Sequence, residues 1–478
     1  MKLRELLEGI EIVSACADLD GEIGEVCYDS RAVRPGDLFV AVRGYETDGH
    51  KYIASALEKG AAAVVCEEAA PGVPAVVVAN SRAALADIAG NRFGHPSRRL
   101  VMVGVTGTNG KTTTTTLIKH ILEEQGAKVG LIGTNENIIG GEVIPSSRTT
   151  PESYELQALF ARMAEAGCTH CVMEVSSHSL VLDRVRGVRF QAAVFTNLTQ
   201  DHLDFHHTME EYRRAKAVLF TIADKGAVNL DDPVAGRMLA DAACPCMTFS
   251  AAKDEADLSA KNVVLRADGV DFIAVRTGEL ARVHLGIPGQ FSVSNALSAL
   301  SACLLLGYPL DACAAALRTA HGVKGRIEVV PTPTDYTVLI DYAHSPDGVE
   351  NILRAVRGFT KGRVIALFGC GGDRDRTKRP KMGAIAARLA DHCIVTSDNP
   401  RTEQPEAIID DIMPGMKDAR GPVDRICDRR EAIFHALDIA RAGDSIVLMG
   451  KGHETYQEIN HVKHHMDERE IVAEYFAR

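Results

Sequence analysis

The chain has 478 residues, a length that suggests about three domains at the usual ~150 residues each. Its formal net charge of -11 argues against a nucleic-acid binder, and its 12 scattered cysteines show no repeated C-x-x-C pairs of the kind that hold zinc. The N-terminus Met1-Lys-Leu-Arg-Glu carries charge where a secretory signal is apolar, and the most apolar stretch, 296–306, is too short to span a bilayer. These features predict a soluble cytoplasmic enzyme with no membrane insertion.

The first 97 residues read as a small α/β unit. Short apolar runs beginning at Asp37, Ala61 and Pro74 predict strands, and 52–59 and 82–93 predict helices. His95-Pro-Ser reads as a linker, because proline and serine break the helix before it. Cys244 and Cys246 read as small apolar side chains.

A second unit opens at Leu100. Val101-Met-Val-Gly-Val-Thr-Gly-Thr-Asn-Gly-Lys-Thr-Thr113 is an apolar strand that breaks into a glycine turn and then a helix. Gly107 and Gly110 allow a tight turn whose consecutive N–H groups can face one anion, and the helix adds its positive dipole end. Lys111 can reach terminal phosphates and Thr112 can hold Mg²⁺. The loop predicts a nucleoside triphosphate site without saying what is done there. It also departs from the strict eight-residue pattern, whose first glycine would fall at Val105.

Strands expected at 128–132, 171–175 and 192–197 alternate with helices, which implies a mostly parallel sheet. Glu174 ends one of them, and a carboxylate beside a phosphate loop suits Mg²⁺, which prefers oxygen. Asn197-Leu-Thr-Gln-Asp-His-Leu-Asp204 follows another. There His202 can bind a second metal, while Asp201 and Asp204 can orient it or cap the next helix. Lys216 lies on a helix expected to run away from this cluster, where a solvated lysine is the default.

The last unit alternates again, with strands expected at 338–341, 363–368, 392–396 and 445–449 and helices at 347–357, 382–389 and 431–441. The loops Gly369-Cys-Gly-Gly-Asp373, Asp398-Asn-Pro-Arg401 and Gly450-Lys-Gly-His-Glu454 follow strand ends, where ligands sit in open α/β sheets.

Together the loops at 106–112, 173–178 and 197–204, Gly325-Arg326, Asp341-Tyr-Ala-His344 and Gly450 to Glu454 resemble the Mur ligases of peptidoglycan synthesis, over nearly the whole chain and in the same order. The resemblance implies three domains: a small N-terminal α/β domain (1–97) for the UDP substrate, a central P-loop ATPase-like domain with a mostly parallel sheet (98–327), and a C-terminal Rossmann-like domain for the amino acid (328–478). It implies ATP held by Thr106, Gly107, Thr108, Asn109, Gly110, Lys111 and Thr112, with Asn295, Arg326 and Asp341 near the base and ribose. It also implies a carbamylated Lys216, whose carboxylate-like end helps hold Mg²⁺ with Thr112, Glu174 and His202.

Ser30 and the Gly44-Tyr-Glu-Thr-Asp48 loop match the uridine-binding region, and Thr149, Thr150, Ser176 and Arg184 match residues that touch the UDP-N-acetylmuramoyl-dipeptide. Leu182 stands where some members carry a glutamine. Arg379, Asp398, Asn399, Pro400, Arg401, Gly450 and Glu454 are expected around meso-diaminopimelate. A guanidinium grips a carboxylate with two parallel hydrogen bonds, and lysine lacks the distal carboxylate of diaminopimelate. A buried Arg401 left unpaired would therefore disfavour lysine.

The implied chemistry is an ADP-forming amide ligation through an acyl phosphate, carried out by a monomer, with the amine-binding domain closing to exclude water. The base that accepts the amine proton is either His344 or Glu454. A folylpolyglutamate synthase shares the ATP core, but the unit holding Ser30 and the Asp-Asn-Pro-Arg loop argue against it. A switching GTPase would need an Asn-Lys-x-Asp loop, which is absent, and a plain kinase would leave a stable phosphorylated product.

Overall fold

The computed structural model describes residues 1–44, 47–146, 148–320 and 322–478. Tyr45 and Glu46, in the loop matched to uridine binding, lie outside the described residues. The chain forms two compact units, Met1–Phe249 with Ser301–Tyr308, and Ser250–Leu300 with Pro309–Arg478. Its sheets build a three-domain α/β architecture.

In the first unit an N-terminal sheet runs in the order Ile12–Ala15, Ala75–Val78, Ala63–Cys66, Leu38–Val40, Val26–Cys27. Its pairs are parallel except the first. Successive strand residues face opposite sides. Leu38, Val40, Val65 and Val76 thus meet Leu3, Leu6, Leu85 and Ile88, while Phe39, Val64 and Cys66 meet Val33 and Ala56. The helix predicted over 82–93 forms as Ser81–Phe93. Asn80 caps it by accepting from the N–H groups of Arg82 and Ala83, and Gly94 ends it in the left-handed region at φ 67°. The expected linker is more ordered than its proline suggests: it forms a 3₁₀ turn, Pro96–Arg99, with Pro96 and Ser97 buried.

The second sheet of this unit runs Cys246–Ser250, Gly226–Asn229, Ala192–Phe195, Val101–Thr106, His170–Glu174, Val129–Ile132, Glu136–Ile139, Glu142–Pro145. It is parallel through Val129–Ile132, and the last two strands add an antiparallel hairpin. The phosphate-loop strand Val101–Thr106 sits between Ala192–Phe195 and His170–Glu174. All three polar loops that follow them therefore leave the same sheet edge.

The second unit holds an antiparallel meander, Leu258–Arg266, Gly269–Arg276 and Glu279–Leu285. Its other sheet runs Glu328–Val330, Thr337–Asp341, Ser445–Met449, Val364–Phe368, His392–Val395, Val423–Arg425. Only the first pair is antiparallel. Helices Pro346–Arg357 and Lys378–Leu389 bury Leu339, Ala366, Phe368 and Val447 on one face. Arg429–Ile439 and Glu468–Phe476 bury Ile340, Ile365, Leu367 and Leu448 on the other. No helix among the described residues is long and apolar enough to cross a membrane.

Candidate active site

The glycine turn after Val101–Thr106 is held by the neighbouring strand's end. The N–H groups of Thr108 and Asn109 donate to the backbone oxygen and Oδ1 of Asn197 at 2.8 and 2.9 Å, and Thr196 Oγ1 donates to the Asn109 carbonyl at 2.7 Å. A Cβ on Gly107, at φ 149°, would lie 1.9 Å from Thr196 Oγ1, so only glycine fits. The N–H groups of Thr108 and Asn109 thus serve the loop itself, while the leading N–H groups of helix Lys111–Glu124 have no carbonyl four residues back within the helix. Lys111 Nζ folds back on the carbonyls of Gly107 and Thr108, 2.9 Å from each.

Lys216 is not the solvated lysine that its helix suggested. Helix Met209–Ala217 brings it, 1% exposed, onto the phosphate loop, where Nζ donates to the Gly107 carbonyl at 2.9 Å and lies 4.4 Å from the Tyr212 ring centroid. Burial, then the nearby Lys111 charge, hold this amine well below the usual lysine range.

Glu174 is equally buried at the end of its strand, paired in register with Val105. Its two oxygens accept from Thr134 N–H at 2.8 Å and Thr134 Oγ1 at 3.0 Å. Each keeps a further lone pair. With the Thr112 hydroxyl, this donor set suits a hard cation such as Mg²⁺. His202, at φ 53°, stands half exposed with Nε2 3.4 Å from Asp201 Oδ2, and its backbone N–H donates to Asp201 Oδ1 at 2.9 Å. Its ring packs 4.8 Å from His178. Burial lowers the His178 imidazole and brings His206, bonded to Ser177 Oγ, down to about 4, so both stay neutral near pH 7.

The residues matched to the dipeptide substrate join this floor. Thr149 Oγ1 meets Thr134 Oγ1 at 3.0 Å, and Thr150 Oγ1 donates to the Glu174 carbonyl at 2.9 Å and accepts from Ser176 N–H at 3.1 Å. Arg184 Nη1 donates to the Thr150 carbonyl at 3.2 Å. Buried Glu152 gathers Arg82, Arg148 and Arg184 within ion-pair distance. Sequence reading missed Thr134 and Glu152. Only their place between motif residues signalled them. Ser30 is buried in the N-terminal domain with its carbonyl bonded to Lys59 Nζ, apart from this network.

In the second unit Asn295 is buried in helix Gln290–Leu305. Asp341 accepts from the N–H groups of Ile327 and Ala343 at 2.9 and 2.8 Å, and burial raises its carboxyl. Arg326 rests over the Tyr342 ring, 5.2 Å from its centroid, with Nε buried and without a partner among the described residues. His344 is exposed, and Nδ1 meets the Tyr342 carbonyl at 2.8 Å. That contact sets the proton on Nδ1 and the lone pair on Nε2.

The Asp398-Asn-Pro-Arg loop is knitted to Gly450–Glu454 and to the hairpin strand Tyr456–Ile459. Lys451, fully buried, donates to Asn399 Oδ1 at 2.7 Å and Glu454 Oε2 at 2.8 Å, and Asn399 Nδ2 reaches the same Glu454 oxygen at 2.9 Å. A Cβ on Gly450 would lie 2.3 Å from Asp398 Oδ2. Arg401 donates from Nε to Glu458 at 3.1 Å and from Nη1 to the Gly372 carbonyl at 2.7 Å. Its charge is thus not left unpaired when a ligand lacks a carboxylate, and the penalty for lysine is smaller than an isolated buried guanidinium would impose.

Arg379, expected beside the amino acid, has a side chain 0% exposed; Nη1 and Nη2 donate to Glu403, Asp411 and the Gly371 carbonyl and brace the loop, while Nε is buried without a partner among the described residues. Arg374, passed over in the sequence, is exposed on the same loop. A Cβ on Gly371 would lie 2.9 Å from Arg401 Nη1 and 3.9 Å from Arg374 Cγ, which sets the two side chains around one glycine.

Residues 22–93 match the model of the Mur ligase family catalytic domain, 105–303 the Mur ligase middle domain, and 325–452 the Mur ligase glutamate ligase domain. A Clostridium botulinum protein named UDP-N-acetylmuramoyl-L-alanyl-D-glutamate--2,6-diaminopimelate ligase is 47% identical over 99% of this chain and 99% of its own length. A protein of the same name from Caldanaerobacter subterraneus subsp. tengcongensis is 48% identical over 100% of this chain and 99% of its own. A solved structure bearing that enzyme name superposes with a TM-score of 0.75 at 33% identity, covering 100% of this chain and 99% of that one. The chain belongs to the Mur ligase family.

Proposed function

We propose that this chain is an ATP-dependent, ADP-forming ligase that joins meso-2,6-diaminopimelate to UDP-N-acetylmuramoyl-L-alanyl-D-glutamate in cytoplasmic peptidoglycan precursor synthesis. It acts as a monomer with domains at 1–97, 98–327 and 328–478. The observation that carries the reading is the shared floor of the first unit: Thr134 ties Glu174 to Thr149, and Lys216 lies on the phosphate loop at Gly107. Groups fit for a triphosphate and groups matched to an acid substrate meet at one sheet edge. The relatives' shared name supplies the substrates.

A carboxylate resists amines because its oxygen leaves poorly. Lys111 and the first turn of its helix hold the terminal phosphates so that the γ-phosphoryl group passes to the substrate carboxylate. Bound Mg²⁺, held by Thr112, Glu174, His202 and carbamylated Lys216, would neutralise phosphoryl charge. Ser30 takes the uridine end, and Thr149, Thr150, Ser176 and Arg184 orient the dipeptide. Asn295, Arg326 and Asp341 serve the adenosine end.

Asp398, Asn399, Pro400, Arg401, Gly450 and Glu454 hold the diamino acid, with Arg379 as their brace. Its neutral amine attacks the acyl carbon. The new C–N bond forms as the C–O bond to phosphate breaks, and the amine's proton passes to His344 Nε2 or to Glu454. The test is incubation of the UDP-dipeptide, ATP and Mg²⁺ with diaminopimelate or with lysine, with products weighed. Far more tripeptide with diaminopimelate than with lysine supports the reading. ATP turnover with no new amide would overturn it.

A further inference from the structure

At the edge of the C-terminal sheet, side chains from three elements converge on one point. His392 opens strand His392–Val395, Asp424 is the middle residue of edge strand Val423–Arg425, and His435 projects from helix Arg429–Ile439. Both imidazoles aim Nε2 at a single oxygen, Asp424 Oδ2, at 2.6 Å from His392 and 2.8 Å from His435. All three atoms lie within 4.8 Å of one another. The His392 side chain is 9% exposed, while Asp424 and His435 are 34% and 37% exposed, so the point is walled on one side and open to solvent on the other.

Asp424 Oδ2 has two lone pairs and can accept from both imidazoles. Two imidazoles from separate elements, turned to the same oxygen, converge as ligands around a shared cation do. Metal–ligand bonds of about 2.0–2.1 Å place tetrahedral ligand atoms roughly 3.3 Å apart. The hydrogen-bonded pairs here are slightly closer, so small side-chain rotations open the space. Each neutral imidazole moves its proton to Nδ1 and offers the Nε2 lone pair, and Asp424 brings one negative charge.

We propose that His392, Asp424 and His435 form a binding site for one divalent transition-metal ion, zinc foremost, with water at an open fourth position. Two nitrogen donors of three select zinc or cobalt over Mg²⁺. The bound ion clips helix Arg429–Ile439 to the short edge strand, so the site is structural. None of the three residues belongs to the loops read as the reaction site: His392 opens its strand, Asp424 pairs with Ile394, and the Asp398 loop follows the strand's other end.

The test uses full-length protein stripped with EDTA, then titrated with Zn²⁺ or Co²⁺ and crystallised for anomalous diffraction. The expected result is a single peak among His392, Asp424 and His435, with a higher melting temperature than the stripped protein. His435→Ala and Asp424→Asn should each weaken uptake at this point by roughly tenfold or more. Both should keep wild-type ligase turnover with Mg²⁺ and ATP, which shows that they fold. Excess Mg²⁺ should not displace the ion. No peak there, a peak only at His178 and His202, or equal uptake by folded variants would overturn the proposal.

Discussion

Lys111 and Lys216 both reach the Gly107 carbonyl, yet their burial gives them different work. Lys111 is the phosphate contact of the proposal, and Lys111→Ala should lower ligation by roughly 10²–10³-fold, the scale of losing one preorganised donor, with melting unchanged. Turnover near wild type would remove the ATP assignment. Lys216 is the more informative side chain. Its folded pKa is lowered, whereas in the unfolded chain it titrates near 10.5. Between those two values the unfolded state binds the extra proton, so this residue makes stability rise with pH across that window. Addition of CO₂ to the unprotonated amine forms a C–N bond and releases one proton, leaving a carbamate anion in place of the buried cation. Enzyme held in CO₂-free buffer should therefore lose activity and regain it with bicarbonate, and Lys216→Ala should be partly rescued by formate or acetate. Full activity with an unmodified amine, read by mass of the intact protein, would contradict carbamylation. Arg401→Ala should raise the KM for diaminopimelate far more than that for ATP. Equal losses would remove the selectivity role. The paired state of Arg401 also sets an expectation for lysine: weak use as a substrate rather than none.

Among elements, the C-terminal helix Glu468–Phe476 is fastened by a buried ion pair. Arg429 is 0% exposed and Glu468 1% exposed, 2.8 Å apart, and Arg429 also donates to the Met449 and Ser397 carbonyls. Those carbonyls stand at the roots of the Gly450 and Asp398 loops. Arg429→Met leaves Glu468 buried and uncompensated and should destabilise the protein by about 3–5 kcal/mol in denaturant unfolding. Adding Glu468→Leu should recover much of that loss. A single variant as stable as wild type would show that the pair carries nothing. The strand–loop–helix units were legible because continuous apolar runs such as Val101–Thr106 and Ser445–Met449 end at glycine. The meander Leu258–Leu285 was not: in Leu258–Arg266 buried residues give way to alternating half-exposed ones, a weak signal without its partners. The hairpin Glu136–Pro145 was missed for the same reason.

Across the molecule, motif order along the sequence carried the three-domain α/β architecture and the loops that follow the strand ends. It did not carry which charges would be occupied. Arg379 and Arg374 lie five positions apart on one basic stretch, and only the fold shows that Glu403 and Asp411 consume the first and leave the second exposed. Lys216 is the mirror case, a residue whose helix context gave no hint of burial and which only a family resemblance singled out. Side-chain pairing is a property of three-dimensional packing, so sequence spacing locates such residues without assigning their partners. The central claim, that this fold energises an acid with ATP and joins a diamino acid to it, is tested most directly by following oxygen. With ¹⁸O in the acceptor carboxylate of the UDP-dipeptide, the acyl-phosphate route moves one label into the released phosphate while a diaminopimelate tripeptide accumulates. Phosphate released without label, or labelled dipeptide recovered unchanged while ATP is consumed, would contradict it.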